Sequence, residues 1–210
     1  TAKSQECILI LCEGDSAKSG IMSGLTKDDR NYIGVFPLKG KLLNTKDLPQ
    51  KKINDNVEIT NIKKILGLVT NKVYDKKEIK TLRYGKVIFM TDQDLDGSHI
   101  KGLCINLFHS QWGDLFKANK FIGFMNTPIL KATKGKRVLN FYNESKYKEW
   151  KNANNNGKGW TVKYYKGLGT STSKEFKEYF KNKRLITFSY NGNTSDDAID
   201  KVFNKERADD

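Results

Sequence analysis

The sequence predicts an α/β fold: a central parallel sheet flanked by helices, with a small β-rich extension. Three observations lead there. Two short apolar runs, at 6–12 and 87–90, each feed into a carboxylate and a glycine and then into a helical pattern; strand, turn and helix in that order are the units of a parallel sheet. Further along, residues 130–134 and 137–142 alternate in polarity about Lys134-Gly135-Lys136, the mark of a hairpin. Hydrophobic residues make up 37% and aromatic residues 11% of the 210, enough to bury a core for one large domain or two small ones.

Taken in order, the first strand is Cys7-Ile8-Leu9-Ile10-Leu11-Cys12. It ends in Glu13-Gly14-Asp15-Ser16-Ala17, and a helix is expected over 17–24. Val35-Phe36-Pro37-Leu38 is the next strand and leads to Lys39-Gly40-Lys41. A glycine between two lysines lets backbone and ammonium groups approach a phosphate, although a solvated turn explains it equally. Residues 46–65 read as a helix with Ile53, Val57, Ile62 and Ile65 inward, and 70–83 as a lysine-rich surface connection with a short helix.

The chain is organised around Val87-Ile88-Phe89-Met90-Thr91-Asp92-Gln93-Asp94-Leu95-Asp96-Gly97. A helix follows, with Ile100, Leu103, Cys104, Leu107, Phe108, Leu115 and Phe116 at helical spacing. In an open α/β sheet, ligands sit beyond the carboxyl ends of the strands. Three carboxylates within five residues repel one another when ionised, and a divalent cation that prefers oxygen ligands, such as Mg2+, removes that cost. If the two apolar strands are parallel neighbours, Glu13 joins Asp92 and Asp94. Solvated helix capping is the plain alternative, since Asp favours N-caps and first turns. An EF-hand is excluded because Leu103 stands where its closing Glu belongs. A D-x-D phosphatase fits poorly, with Asp96 where Thr or Val is usual.

Downstream, 121–128 is expected to be extended, 145–150 to begin a helix, and the polar segment 152–159 to be disordered. Residues 160–165 form a strand that runs into Lys166-Gly167-Leu168-Gly169-Thr170-Ser171-Thr172 and a helix near 174–180. Such a glycine turn could cradle a phosphate through free backbone N–H groups. No G-x-x-x-x-G-K-[ST] occurs, so no ATP site is expected in this chain. A strand at 185–190 and a helix at 195–205 complete the chain.

Thirty-eight basic and 24 acidic residues give a net charge of +14, which suggests an anionic partner, most often nucleic acid; a basic but inert surface is the plain alternative. Cys7, Cys12 and Cys104 form no C-x-x-C pair, and their odd number argues for a reducing, intracellular setting. Two histidines without a His/Cys cluster leave no zinc site. No run is apolar enough to span a membrane. The chain starts at Thr1 rather than Met and is expected to be a piece of a longer protein.

Four motifs, Glu13-Gly14-Asp15-Ser16-Ala17, Pro37-Leu38-Lys39-Gly40-Lys41, the stretch from Thr91 to Gly102, and Tyr164-Tyr165-Lys166-Gly167-Leu168-Gly169-Thr170-Ser171, follow one another here. Together they resemble the Toprim domain of type IIA DNA topoisomerases, in the eukaryotic topoisomerase II form, across the whole chain. The resemblance implies a Toprim (Rossmann-like) fold, with 1–183 as the Toprim domain and 184–210 leading toward a winged-helix domain. It implies Glu13, Asp92 and Asp94 as catalytic metal ligands and Asp96 as a supporting acid. Mg2+ is the implied cofactor, with Mn2+ or Ca2+ as substitutes. Glu13 is implied to return a proton to the leaving 3′ oxygen. Lys39, Lys41, Lys166, Gly167, Gly169 and Thr170 are implied to lie on double-stranded DNA.

The implied parent enzyme is an ATP-dependent homodimer. Its ATPase domain lies upstream, and its nucleophilic tyrosine lies downstream of Asp210. Tyr164 and Tyr165 are therefore not the nucleophile, and this segment alone is expected to be inactive in strand passage. Lys39 stands where the eukaryotic form usually has Arg, and Leu95 where a polar residue is usual. That mixture points to a divergent lineage, a large DNA virus or a protist. Localisation follows as nuclear for a cellular eukaryote, or host cytoplasm or nucleus for a virus. The rival readings are a self-contained Toprim nuclease or primase acting on DNA with Mg2+, a phosphatase using Asp92, and a noncatalytic DNA-binding module.

Overall fold

The computed structural model describes residues 2–118, 120–182 and 185–207. In chain order the elements are β1 (Ile8–Glu13), α1 (Gly14–Gly24), β2 (Ile33–Leu38), α2 (Gln50–Asp55), α3 (Val57–Leu66), β3 (Lys86–Met90), α4 (Leu95–Gln111), α5 (Gly113–Lys117) and β4 (Ile122–Met125). They continue as β5 (Leu130–Lys134), β6 (Arg137–Phe141), α6 (Glu144–Ala153), β7 (Thr161–Tyr164), α7 (Ser173–Asn182), β8 (Leu185–Thr187) and α8 (Asn193–Phe203).

The larger sheet has the order β2-β1-β3-β4-β8. β1 runs parallel to both β2 and β3, β3 runs parallel to β4, and only the edge strand β8 is antiparallel. Successive strand residues point to opposite faces, and here both faces are covered. Leu9, Leu11, Val87 and Phe89 pack with Ile59, Ile62, Ile100 and Phe108 of α3 and α4 on one side. Ile10, Cys12, Ile88 and Met90 pack with Ala17 and Ile21 of α1 and Phe176 and Phe180 of α7 on the other. Burial on both faces is why these strands read as unbroken apolar runs. Pro37 is tolerated in β2 because that strand is an edge.

The register decides where the acids lie. Cys12 is paired with Met90, and Glu13 with Leu38. Glu13, the residues after Met90 and the lysines after Leu38 therefore emerge together at the carboxyl end of three adjacent strands.

The β-rich extension is a second sheet, β6-β5-β7, antiparallel throughout. Lys134 is paired with Arg137 across the Gly135-Lys136 turn, as the alternation predicts. Leu130, Ala132 and Phe141 pack beneath Tyr147 and Trp150 of α6.

Several expectations need correction. The helix over 46–65 is two helices, because Asn56 ends α2 and caps α3, its side chain accepting the Ile59 N–H at 3.0 Å. The restart resets the helical phase, so Val57 is 69% exposed and Ile59 is buried in its place. Residues 152–159 are ordered: a 3-10 turn at Asn155–Gly157 is closed by the Gly157 amide on the Asn154 carbonyl, and Trp150 and Trp160 meet edge to face at 5.2 Å. The helix begun in 95–116 breaks at Trp112 into α4 and α5. The expected boundary between 183 and 184 lies outside the described residues. All three cysteines are free, and among the described residues no helix is long and apolar enough to cross a membrane.

Candidate metal centre

Glu13 is the last residue of β1, and Gly14 turns the chain into α1 with φ +78°. That left-handed conformation is costly for any residue with a Cβ. The turn leaves the Glu13 side chain at the strand end, facing the acidic loop. Its Oε2 is buried and finds no hydrogen-bond partner. Burial pushes the Glu13 carboxyl above its ordinary range. Asp92, and more weakly Asp94 and Asp96, add to this through repulsion, while the Asp92 backbone amide acts the other way.

The three aspartates are each anchored through one oxygen. Asp92 Oδ1 accepts the Leu168 N–H at 2.6 Å. Asp94 is the N-cap of α4, its Oδ1 accepting the Gly97 N–H at 2.7 Å. Asp96 Oδ1 accepts Lys41 Nζ at 2.8 Å. The capping alternative thus accounts for Asp94 as the cap and Asp96 in the first turn of α4, but not for Asp92. Lys41 holds the Asp96 carboxyl below its usual range, and Asp96 in return raises the Lys41 ammonium.

The loop that grips Asp92 is the glycine turn. A Cβ on Gly167 would sit 2.4 Å from Asp92 Oδ2 and 2.9 Å from its Cγ, so the close approach requires glycine at this place. The turn does not offer a ring of free amides, as the sequence suggested. Leu168 N–H is committed to Asp92, and the Thr170 and Ser171 amides donate to the Gly167 and Leu168 carbonyls. Thr170 Oγ1 also donates to the Gly167 carbonyl at 2.7 Å. Gly169 lies against Ser16 Oγ. Lys39 and Lys166 are exposed, and Lys166 borders a cleft of about 510 Å3 with Asp94, Gln93, Glu144 and Tyr164. Neither neighbouring tyrosine is poised as a nucleophile: Tyr164 donates to Glu144, and Tyr165 is buried with its hydroxyl on Glu175.

Glu13, Asp92, Asp94, Asp96, Lys41 and Gly167 therefore share one rim. Among the described residues no three His, Cys, Asp or Glu side chains close into a ready-made metal cage. The rim suits a hard divalent cation nevertheless. Its donors are all carboxylate oxygens, Glu13 Oε2 is orphaned, and Mg2+ ordinarily keeps several waters and takes only one or two carboxylates. Sequence reasoning missed Leu168, whose backbone orients Asp92, and Glu175, which holds the loop. The Thr172-x-x-Glu175 spacing of a capping box was the available signal for the latter.

Comparison with known proteins fits this geometry. Residues 8–127 match the Toprim domain family, and 125–210 match the C-terminal associated domain of Toprim. The chain is 52% identical to DNA topoisomerase 2-alpha of Rattus norvegicus over 99% of this chain and 14% of that protein. It is 53% identical to DNA topoisomerase 2-beta of Homo sapiens over 99% and 13% respectively. The chain thus spans only 13–14% of the length of these curated relatives. The crystal structure of the Plasmodium falciparum topoisomerase II DNA-binding, cleavage and re-ligation domain superposes with a TM-score of 0.92 at 48% identity, covering 100% of this chain and 29% of that one. The chain therefore belongs to the Toprim family, in the form found in type II DNA topoisomerases.

Proposed function

We propose that this segment supplies the Mg2+-holding half of the DNA-cleavage centre in a type II DNA topoisomerase. The observation that carries the reading is the orphaned Glu13 Oε2 at the strand end where Asp92, Asp94 and Asp96 converge. On this reading Glu13, Asp92 and Asp94 hold the cation and Asp96 supports them. Bound there, Mg2+ would offset the charge that builds on a scissile phosphate and its leaving oxygen.

The chain's own residues do the rest. Leu168 N–H and the α4 cap fix the directions of Asp92 and Asp94. Glu13 also lies where it would handle the proton that returns to the leaving 3′ oxygen. Lys39, Lys41 and Lys166, with the backbone of Gly167 and Gly169 and the Thr170 side chain, face duplex DNA. The +14 charge gives an affinity without sequence preference, because phosphate contacts carry no sequence information.

The wider activity belongs to the same proposal. It comprises an ATP-driven homodimer, a tyrosine nucleophile in a following winged-helix domain, and nuclear residence. So does the division into a Toprim unit over 1–183 and a strand and helix over 184–210. The test is the full-length enzyme with Asp92→Ala. Loss of Mg2+-dependent cleavage of supercoiled plasmid is expected, and undiminished cleavage refutes the reading. Nicking of plasmid by the isolated chain without a covalent adduct favours a self-contained nuclease instead.

A further inference from the structure

The loop whose Leu168 amide grips Asp92 is held at both of its ends by a single side chain. Tyr165 immediately precedes the loop and Thr172 immediately follows it. Glu175, in the first turn of α7 and only 6% exposed, reaches both. Its Oε1 accepts the Tyr165 hydroxyl, and its Oε2 accepts the Thr172 N–H at 2.8 Å and the Thr172 hydroxyl at 3.1 Å. Thr172 Oγ1 accepts the Glu175 N–H at 3.3 Å in return, which completes a capping box. Two cations from the second sheet also converge on this carboxylate, Lys163 at 2.8 Å and Lys131 at 3.4 Å.

A cap needs Thr172 and Glu175 alone. Tyr165, Lys131 and Lys163 are additional: Lys131 and Lys163 come from β5 and β7, and Tyr165 directly follows β7. The loop is a single 3-10 turn, Leu168–Thr170, closed by the Thr170 and Ser171 amides with Leu168 buried, and its placement against Asp92 depends on where its ends are held. Gly167 must also stay bare to pass against Asp92. The loop sets its Leu168 amide on a carboxylate 76 residues away in sequence, and Glu175 ties down both of its ends.

We propose that Glu175 is a positioning residue for the metal centre. By pinning both ends of the 166–171 loop, it sets the Leu168 N–H against Asp92 and so fixes where the Asp92 carboxylate points. The inference rests on the reading of Asp92 as a metal-holding residue. Partners that orient metal ligands typically matter about 10- to 100-fold in metal affinity.

The test uses the intact chain, with Mn2+ alone as the probe. Binding is followed by paramagnetic line broadening, and hydrogen exchange is measured at the Leu168 amide. Glu175→Gln is expected to weaken Mn2+ binding about tenfold and to speed Leu168 exchange, while the β1 and β3 amides keep their protection. Tyr165→Phe releases one end only and is expected to shift both readouts in the same direction by less. It also decides the matter if Glu175→Gln does not fold. A merely structural Glu175 would lower the melting temperature and leave Mn2+ affinity untouched, which overturns the proposal. Asp92→Asn separates the two readings. If it keeps full Mn2+ affinity, the metal reading falls and takes the proposal with it. If it loses Mn2+ while both loop variants keep it, only the proposal falls.

Discussion

Gly167→Ala puts the proximity of loop and carboxylate to a direct test. The backbone at Gly167 is extended, with φ 178° and ψ 175°, so alanine meets no conformational penalty there. The whole effect must come from the new methyl, which would lie 2.4 Å from Asp92 Oδ2. The obstructing atom ends a short side chain, so relief comes from rotating the Asp92 carboxylate or lifting the loop. Either movement breaks the 2.6 Å bond from Leu168 N–H to Asp92 Oδ1. A hydrogen bond to a charged group contributes roughly 1.5–3 kcal/mol, and that is the expected loss of stability. If Asp92 holds the cation as proposed, reorienting its carboxylate should in addition weaken cation binding by about 10- to 100-fold. Urea denaturation with and without Mg2+ reads both effects, since a cation bound only to the folded state raises the midpoint by mass action. The variant should unfold earlier in EDTA and gain less from Mg2+. A variant with the wild-type midpoint in EDTA and the wild-type gain from Mg2+ would refute the reasoning.

Glu13→Gln should raise stability in EDTA, because it removes a carboxylate that burial and its acidic neighbours already disfavour. The same change should reduce the midpoint shift produced by Mg2+, and a destabilised apo variant would contradict this. Gly24→Ala places a methyl 2.4 Å from Phe176 Cβ and 2.9 Å from its carbonyl carbon, where backbone cannot yield cheaply. It should cost roughly 1–3 kcal/mol in the α1–α7 contact, as overpacking does, measured by denaturant unfolding. Lys41→Ala breaks a pair whose side chains are 51% and 69% exposed, so stability should stay close to wild type. The salt dependence of duplex-DNA binding should fall by about one phosphate contact, a change of roughly 0.9 in slope.

Acid unfolding should expose Glu175. Burial raises its carboxyl, but Lys163, the Thr172 amide and the Tyr165 hydroxyl outweigh burial and hold it at about 2, against 4.5 for a free glutamate. Its contribution is therefore complete above pH 4.5 and is lost as pH falls toward 2. The loss amounts to roughly 3 kcal/mol at most. Glu175→Gln should flatten that limb of the stability–pH curve, and an unchanged limb would count against it.

What could be seen in the sequence divides along physical lines. The strands at 6–12 and 87–90 were legible because burial on both faces demands unbroken apolar runs. The seven apolar positions from Ile100 to Phe116 were legible because one face of a helix must be buried, and all seven are. Local chemistry that was present but outvoted accounts for two misses. Asn56 is a strong N-cap within a helical stretch, and its cap shifted the inward face from Val57 to Ile59. The polar composition of 152–159 suggested disorder, yet Trp150 and Trp160 flank the segment and close over it. The gathering of Glu13 with the aspartates could be inferred from two strand ends of like chemistry. The link between Asp92 and Leu168 could not, because it joins a side chain to a backbone amide and leaves no residue-type signature.

The same distinction explains how four acids coexist at one strand end. Asp92, Asp94 and Asp96 each commit one oxygen to a donor, and the donors are of three kinds: a loop amide, a helix-cap amide and a lysine ammonium. These donors fix the directions in which the three carboxylates point. Glu13 takes the Asp92 backbone amide, but its Oε2 is buried without a donor, and burial first and the neighbouring aspartates second raise its carboxyl. Capping explains Asp94 and an exposed ion pair explains Asp96. Neither explains a glycine kept bare so that a distant loop can hold Asp92, and that is the feature on which the proposed metal reading of the acidic turn leans.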